Sequence, residues 1–152
     1  MYADEEDIEW CQQNIIDPRF TFQYFNLQSA YQHWDQHAGS VSAAEFTFPY
    51  ANDQFNAVLL SSVFTHMAPE EVSQYLKELR RIVRHGGKLL LSVFFSDRGF
   101  YVDQEVNFFY PPEEFFAMAE NAGFTAQLLT AEGIAPPDRA PRTDSHNWYL
   151  LS

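Results

Sequence analysis

Phe55-Asn56-Ala57-Val58-Leu59-Leu60-Ser61-Ser62, a helical stretch from Pro69 to Arg84, and Lys88-Leu89-Leu90-Leu91-Ser92-Val93-Phe94-Phe95 together set the fold of this chain. The first and third runs are almost continuously apolar, the pattern of strands buried on both faces. Between them, Val72, Tyr75, Leu76, Leu79, Ile82 and Val83 recur at i, i+3, i+4, i+7 and form one apolar stripe. Glu70 and Glu71 open that helix while Arg80, Arg81 and Arg84 close it, matching the helix dipole at both ends. Gly86-Gly87 is read as its left-handed cap. Strand, amphipathic helix, strand is a parallel crossover unit, so the expected class is α/β with a mostly parallel sheet.

Upstream, Asp4 to Ile16 reads as an acid-started helix with Ile8, Cys11 and Ile15 on one stripe, stopped by Asp17-Pro18. Phe20 to Leu27 alternates aromatic and polar residues and reads as a strand. Gln28 to Ala44 and Ser96 to Tyr110 read as long loops. Downstream, Pro111-Pro112-Glu113-Glu114 starts a helix that Asn121-Ala122-Gly123 ends. Phe124–Thr130 and His146–Leu151 are expected to form an antiparallel pair at one sheet edge.

Composition bounds the class. The 152 residues, 46% hydrophobic and 20% charged, suit one globular domain over 1–152. Nine Lys and Arg against 21 Asp and Glu give a net charge of −12, which disfavours nucleic acid as a partner. No apolar run reaches the ~20 residues that span a bilayer, and the acidic start does not resemble a signal peptide. A cytoplasmic location is expected. The single Cys11 allows no internal disulfide and no cysteine-based zinc site. It reads as a buried, inert residue of the helical stripe. His33, Asp35 and His37 are metal-ligand types without an evident third ligand, so no metal is expected. Lys77, Arg80, Arg81 and Arg84 read as a solvated basic face. Phe94, Phe95, Tyr101, Phe108, Phe109 and Tyr110 read as core or interface, with a pocket wall as the alternative.

Three clusters then carry a family resemblance: Phe46-Thr47-Phe48-Pro49-Tyr50 with Phe55-Asn56-Ala57-Val58; Ser61-Ser62-Val63-Phe64-Thr65-His66-Met67; and Leu79-Arg80-Arg81-Ile82-Val83-Arg84-His85-Gly86-Gly87-Lys88-Leu89-Leu90-Leu91. In order and spacing the chain resembles the class I S-adenosylmethionine-dependent methyltransferases. The resemblance implies a truncated Rossmann-like methyltransferase fold, S-adenosylmethionine as cofactor, and methyl transfer to a small-molecule acceptor. It places Asn26 and the adjacent Leu27 at the adenine end of the cofactor. Ser61, Ser62 and Thr65 fall at the carboxyl end of a parallel strand, where ligands bind in open α/β sheets. His66 there is the candidate general base, since imidazole titrates near neutral pH.

Asn56 and His85 depart from the family's usual Asp and Pro without barring the fold. The larger departure is upstream. The family opens with a strand, a glycine-rich turn against the cofactor and an acid for its ribose. Here no glycine precedes Gly39, and the acid's place falls at about Met1 or Tyr2, near Asp4. The resemblance therefore implies that the strand Phe55 to Ser62 lacks its central neighbour and exposes a pairing edge. Three remedies follow: closure by Phe20 to Leu27, self-association, or a complementing polypeptide. Three functional readings remain at this level: an enzyme, alone or as one part of a split enzyme; a non-catalytic binding or scaffold module; and a fragment of a longer enzyme.

Overall fold

The computed structural model describes residues 5–28, 41–136, 139–143 and 146–152. Its elements are α1 (Glu5–Asn14), β1 (Leu27–Gln28), β2 (Val41–Ser42), β3 (Phe55–Leu60), α2 (Pro69–Ile82), β4 (Val83–Phe95), β5 (Tyr101–Val102), β6 (Phe108–Tyr110), α3 (Pro112–Asn121), β7 (Ala126–Thr130), β8 (Gly133–Ile134) and β9 (His146–Leu151). Short 3-10 turns occupy Ala43–Glu45 and Phe64–His66.

β4 organises a seven-stranded sheet. One of its edges takes β3 in parallel over Lys88 to Leu91 and then β6 in parallel at Phe94 and Phe95. Its other edge takes β9 antiparallel over Leu89 to Phe94. β9 pairs β7, β7 pairs β8 and β6 pairs β5, all antiparallel. The crossover β3–α2–β4 and the antiparallel β7–β9 pair stand as the sequence implies. The sheet as a whole is mixed, with most pairings antiparallel, which corrects the expectation of a mostly parallel one. The antiparallel character comes from β9, which runs against both of its neighbours β4 and β7, and from β5 and β8, which pair by short connections with β6 and β7.

The α2 stripe and α3 pack on one face of this sheet. Leu60, Leu89, Leu91, Val93, Phe95, Tyr149 and Leu151 meet Val72, Leu76, Leu79, Phe115 and Ala119 in a closed core. Phe95 and Phe115 are completely enclosed. At the start of α2, the Glu71 carboxylate reaches back to accept the N–H of the N-cap residue Ala68 at 2.7 Å, the half of a capping box that needs no N-cap side chain.

Four sequence expectations change. β3 is not buried on both faces: Asn56, Ala57 and Leu59 are exposed, Leu59 by 62%. Among the described residues β3 pairs only with β4. The strand expected over Phe20 to Leu27 reduces to Leu27–Gln28, which pairs Val41–Ser42 in a separate two-stranded sheet, so it does not close the β3 edge. Alternation of aromatic and polar residues makes a strand only where a neighbouring strand offers pairing and packing. Phe20 and Phe22 instead stack on each other at 6.4 Å. Helix α2 stops at Ile82, and Gly86, at φ +77°, lies inside β4 as an irregularity rather than capping the helix. The Ser96 to Tyr110 stretch contains β5 and β6, because each pairs with an adjoining strand already in place.

Two side-chain readings also change. Cys11 is half-buried, and α1 buries none of its residues. Arg81 is not a solvated cation. Its guanidinium donates to Glu78 at 2.7 Å, to the Phe48 and Tyr50 carbonyls at 2.8 and 2.7 Å, and to Asn52 Oδ1 at 3.1 Å. Glu78 in turn accepts the Phe48 N–H at 3.0 Å. This pair straps the segment before β3 onto α2.

Candidate functional site

The carboxyl end of β3 is a tight, internally bonded turn. Ser62 takes a left-handed backbone, φ +57°, and its N–H donates to the hydroxyl of the fully buried Ser92 on β4 at 2.8 Å. The Ser62 and Thr65 hydroxyls meet at 3.2 Å. Thr65 is completely enclosed, so within this chain it acts on the turn through Ser62. Ser61 is exposed and presents its hydroxyl at the strand end. The Tyr110 hydroxyl donates to the Met67 carbonyl from below. Burial and the nearby Glu71 and Glu70 carboxylates push that phenol well above its usual range, which keeps it a donor.

His66 closes this turn, half-buried, with its N–H on the Val63 carbonyl at 3.0 Å. Its ring Nδ1 lies 3.3 Å from the Val106 carbonyl in the connection between β5 and β6. That connection is tied by Asp103, whose carboxylate accepts the Glu105 N–H at 2.9 Å, the Asn107 N–H at 2.8 Å and the Asn107 side-chain amide at 2.9 Å. Burial alone would raise the Asp103 carboxyl. The Asn107 amide, the Asn107 and Glu105 N–H groups and the His66 charge outweigh it and hold the group below the ordinary range.

Beside His66 stands a row of rings crossing four strands. His146 lies 4.3 Å from Phe94, Phe94 stacks on Phe109 at 5.0 Å, and Phe109 stacks on Tyr101 at 4.5 Å. These residues are register partners, so their side chains project from one face of the sheet. The alternate residues Phe95, Phe108 and Tyr110 enter the core on the other face. The aromatic cluster of the sequence is therefore two structures, one core and one wall near the β3 turn. Burial lowers the His146 pKa, and the charge of His66 lowers it further, so His146 tends to stay neutral near neutral pH.

The structure brings Ser61, Ser62, Thr65 and His66 together. Leu27, buried, belongs to the separate β1–β2 pair and Asn26, exposed, immediately precedes it; no hydrogen bond given by the structure joins them to that turn. His33, Asp35, His37, Asp4 and the positions Met1 and Tyr2 lie outside the described residues. Sequence reasoning missed Ser92, Asp103, Val106 and His146. Asp103-x-Glu105-x-Asn107 is an Asx-turn pattern that could have marked the connection. A left-handed valine at Val106, φ +58°, carries no sequence signal at all.

An open α/β sheet whose crossover strand ends in a bonded polar turn, with a histidine and an aromatic wall beside it, is a fold of the Rossmann-like kind. A family model described as a methyltransferase domain matches residues 5–91, and the chain belongs to that family. Solved structures agree on the fold. A SAM-dependent methyltransferase of Leishmania major matches at 15% identity over 74% of this chain and 43% of its own, with TM-score 0.53. The [4+2]-cyclase SpnF matches at 16% identity over 85% of this chain and 42% of its own, with TM-score 0.56. The chain thus spans less than half the length of either protein.

Proposed function

We propose that this chain takes part in S-adenosylmethionine-dependent methyl transfer to a small-molecule acceptor. The observation that carries the reading is the family match, which runs through the Ser61 to His66 turn at the ligand end of β3. The cofactor, when bound, supplies a methyl group already activated on a sulfonium, so the protein mainly aligns donor and acceptor and excludes water. The residues present fit one wall of such a site. Ser61 offers an exposed hydroxyl and the bonded Ser62–Thr65 turn fixes its position. His66 stands where it can take a proton from an oxygen or nitrogen nucleophile. The adjoining wall, along the free edge of β3, is not built by the described residues. The glycine-rich turn that would contact the methionine end has no counterpart before Gly39.

Completion of that edge belongs to the same proposal. A second copy joined edge to edge, about a two-fold perpendicular to the sheet, would pair two β3 strands antiparallel. The face opposite α2 would stay uncovered. A parallel strand from a complementing polypeptide does more. A right-handed crossover running away from β3 lays its helix on that opposite face. There Leu59 is 62% exposed, and Leu90, Trp148 and Leu150 are half-buried. The specific observation favouring a second reading, a non-catalytic binding or scaffold module, is the same edge: among the described residues β3 pairs only with β4 and so offers a pairing surface.

Calorimetric titration of the purified chain with S-adenosylhomocysteine separates these readings. Micromolar affinity supports the enzyme, and His66→Gln is then expected to lower methyl transfer about 100-fold or more while binding persists. Absence of binding at millimolar ligand removes autonomous transfer and leaves the complemented enzyme or the binding module.

A further inference from the structure

We infer that Asp103 is a positioning residue that sets the tautomer of His66, acting through the backbone carbonyl of Val106. The inference deepens the reading of His66 as a base and rests on it for its catalytic meaning, but not for its geometry.

A carbonyl oxygen can only accept. The contact of His66 Nδ1 with Val106 O at 3.3 Å therefore requires the proton on Nδ1, which leaves the Nε2 lone pair as the basic site of the neutral ring. The carbonyl is held in place by a backbone that Val106 would not choose. Its φ of +58° is a left-handed conformation that disfavours a β-branched residue. Something must over-determine it, and the surrounding bonds converge on Asp103. Its carbonyl accepts the Val106 N–H at 3.2 Å and its own N–H donates to the Asn107 carbonyl at 3.1 Å. Its carboxylate takes the three bonds from Glu105 and Asn107 already described. Five polar contacts thus close residues 103–107 around one side chain and its backbone, with Val106 at the bend. Among the described residues His146, presented from β9, also faces His66 and is biased to its neutral form. It does not compete as a cation.

The arrangement also explains the placement of β5 and β6. β6 occupies the β4 edge beyond the end of β3 and β5 pairs outside β6, which carries their connection over the turn where His66 sits. His66 belongs to one edge of the sheet and its orienting carbonyl to the next strand pair along that edge. The tautomer is therefore a property of the sheet's assembly, not of the local sequence around His66.

The test is the ring-nitrogen spectrum of the ¹⁵N-labelled chain, recorded at a pH where the histidines are neutral and without methyl donor. His66→Gln assigns the signal. The wild-type chain should show His66 as the Nδ1–H tautomer. Asp103→Ala should convert it to the Nε2–H form or a mixture, with the His146 signals unchanged as the folding control. Asp103→Asn keeps an oxygen for the two backbone N–H groups and should restore the wild-type tautomer. Val106→Gly removes the strained side chain but keeps the carbonyl, and should leave the tautomer as it was. It supplies a folded comparison if Asp103→Ala does not fold. An Nε2–H tautomer in the wild type overturns the inference, and so does a tautomer unmoved in folded Asp103→Ala. Unchanged methyl transfer in His66→Gln, with the Nδ1–H tautomer present in the wild type, would remove His66 as a base and leave the positioning by Asp103 standing.

Discussion

Gly87 and Gly86 are neighbours that resist substitution for different physical reasons. A Cβ on Gly87 would lie 2.6 Å from Val83 Cγ1, 2.9 Å from the Arg84 carbonyl and 3.0 Å from the Asn56 carbonyl. Two of these three contacts are backbone: the Arg84 carbonyl moves only if β4 bends, and the Asn56 carbonyl only if β3 shifts from β4. Gly86 has open space around it, but its φ of +77° favours glycine. Gly87→Ala is therefore expected to cost about 1–3 kcal/mol through overpacking, and Gly86→Ala about 1 kcal/mol through the left-handed backbone. Urea denaturation should show both as lower midpoints at unchanged slope, the Gly87 variant lower. An equal or smaller loss at Gly87 would mean that the β3–β4 contact yields. At this scale the sequence is only partly readable. A glycine pair after an apolar helix suggests a stop, and the chain does leave the helix nearby, at Ile82. Which glycine serves space and which serves angle depends on the Asn56 carbonyl, a contact made across the sheet.

Helix α2 shows how an element acquires its position from charge as well as from its stripe. Glu78 is buried, and the bond from Arg81 holds its carboxyl below the ordinary range. Burial opposes that shift, and the Phe48 N–H supports it. The sign follows. A carboxyl with a depressed folded pKa contributes stability above its unfolded value, near 4.5, and loses it as pH falls through the folded value. Melting temperature should therefore drop on acidification below about pH 4.5, and Glu78→Gln should flatten that part of the profile. The same variant should cost about 1 kcal/mol at neutral pH, as the charge-assisted bonds become neutral ones. An unchanged acid limb would place the acid sensitivity in other carboxyls. The stripe of α2 was legible in the sequence because helix periodicity is local. So were the strand that follows it and the final strand. The Glu78–Arg81 strap was not, since i, i+3 pairs of this kind usually lie in solvent, and only the folded position of Phe48 and Tyr50 turns this one into an anchor. The stretch Phe20 to Asn26 failed as a strand for the converse reason: its alternation is local, while pairing depends on a neighbour. The site shows the same division. Ser61 to His66 could be placed from the strand-end rule, whereas Asp103, Val106 and His146 come from other strands and meet it only through sheet order.

The whole chain sets two long-range forces against each other. Among the described residues β3 has a free edge and an uncovered face, and both favour association. Leu59 is 62% exposed beside half-buried Leu90 and Leu150, and β3 carries none of the charges, prolines or inward-turned residues that usually blunt an edge. The net charge of −12 opposes contact between two copies. The balance depends on ionic strength, because the screening length falls from about 30 Å at 0.01 M salt to about 3 Å at 1 M, while burial of apolar surface is not weakened by screening. Sedimentation velocity on the purified chain should therefore show a monomer at low salt and growing self-association as salt rises. Leu59→Lys should suppress that association at every salt concentration and leave the melting temperature nearly unchanged, because the lost side chain is mostly in solvent already. A complementing polypeptide of opposite charge would show the reverse dependence, binding more weakly as salt rises. If the chain stays monomeric across the whole range, the edge and face do not attract a second copy. Completion of the sheet would then fall to a partner whose charge, unlike that of a second copy, favours approach.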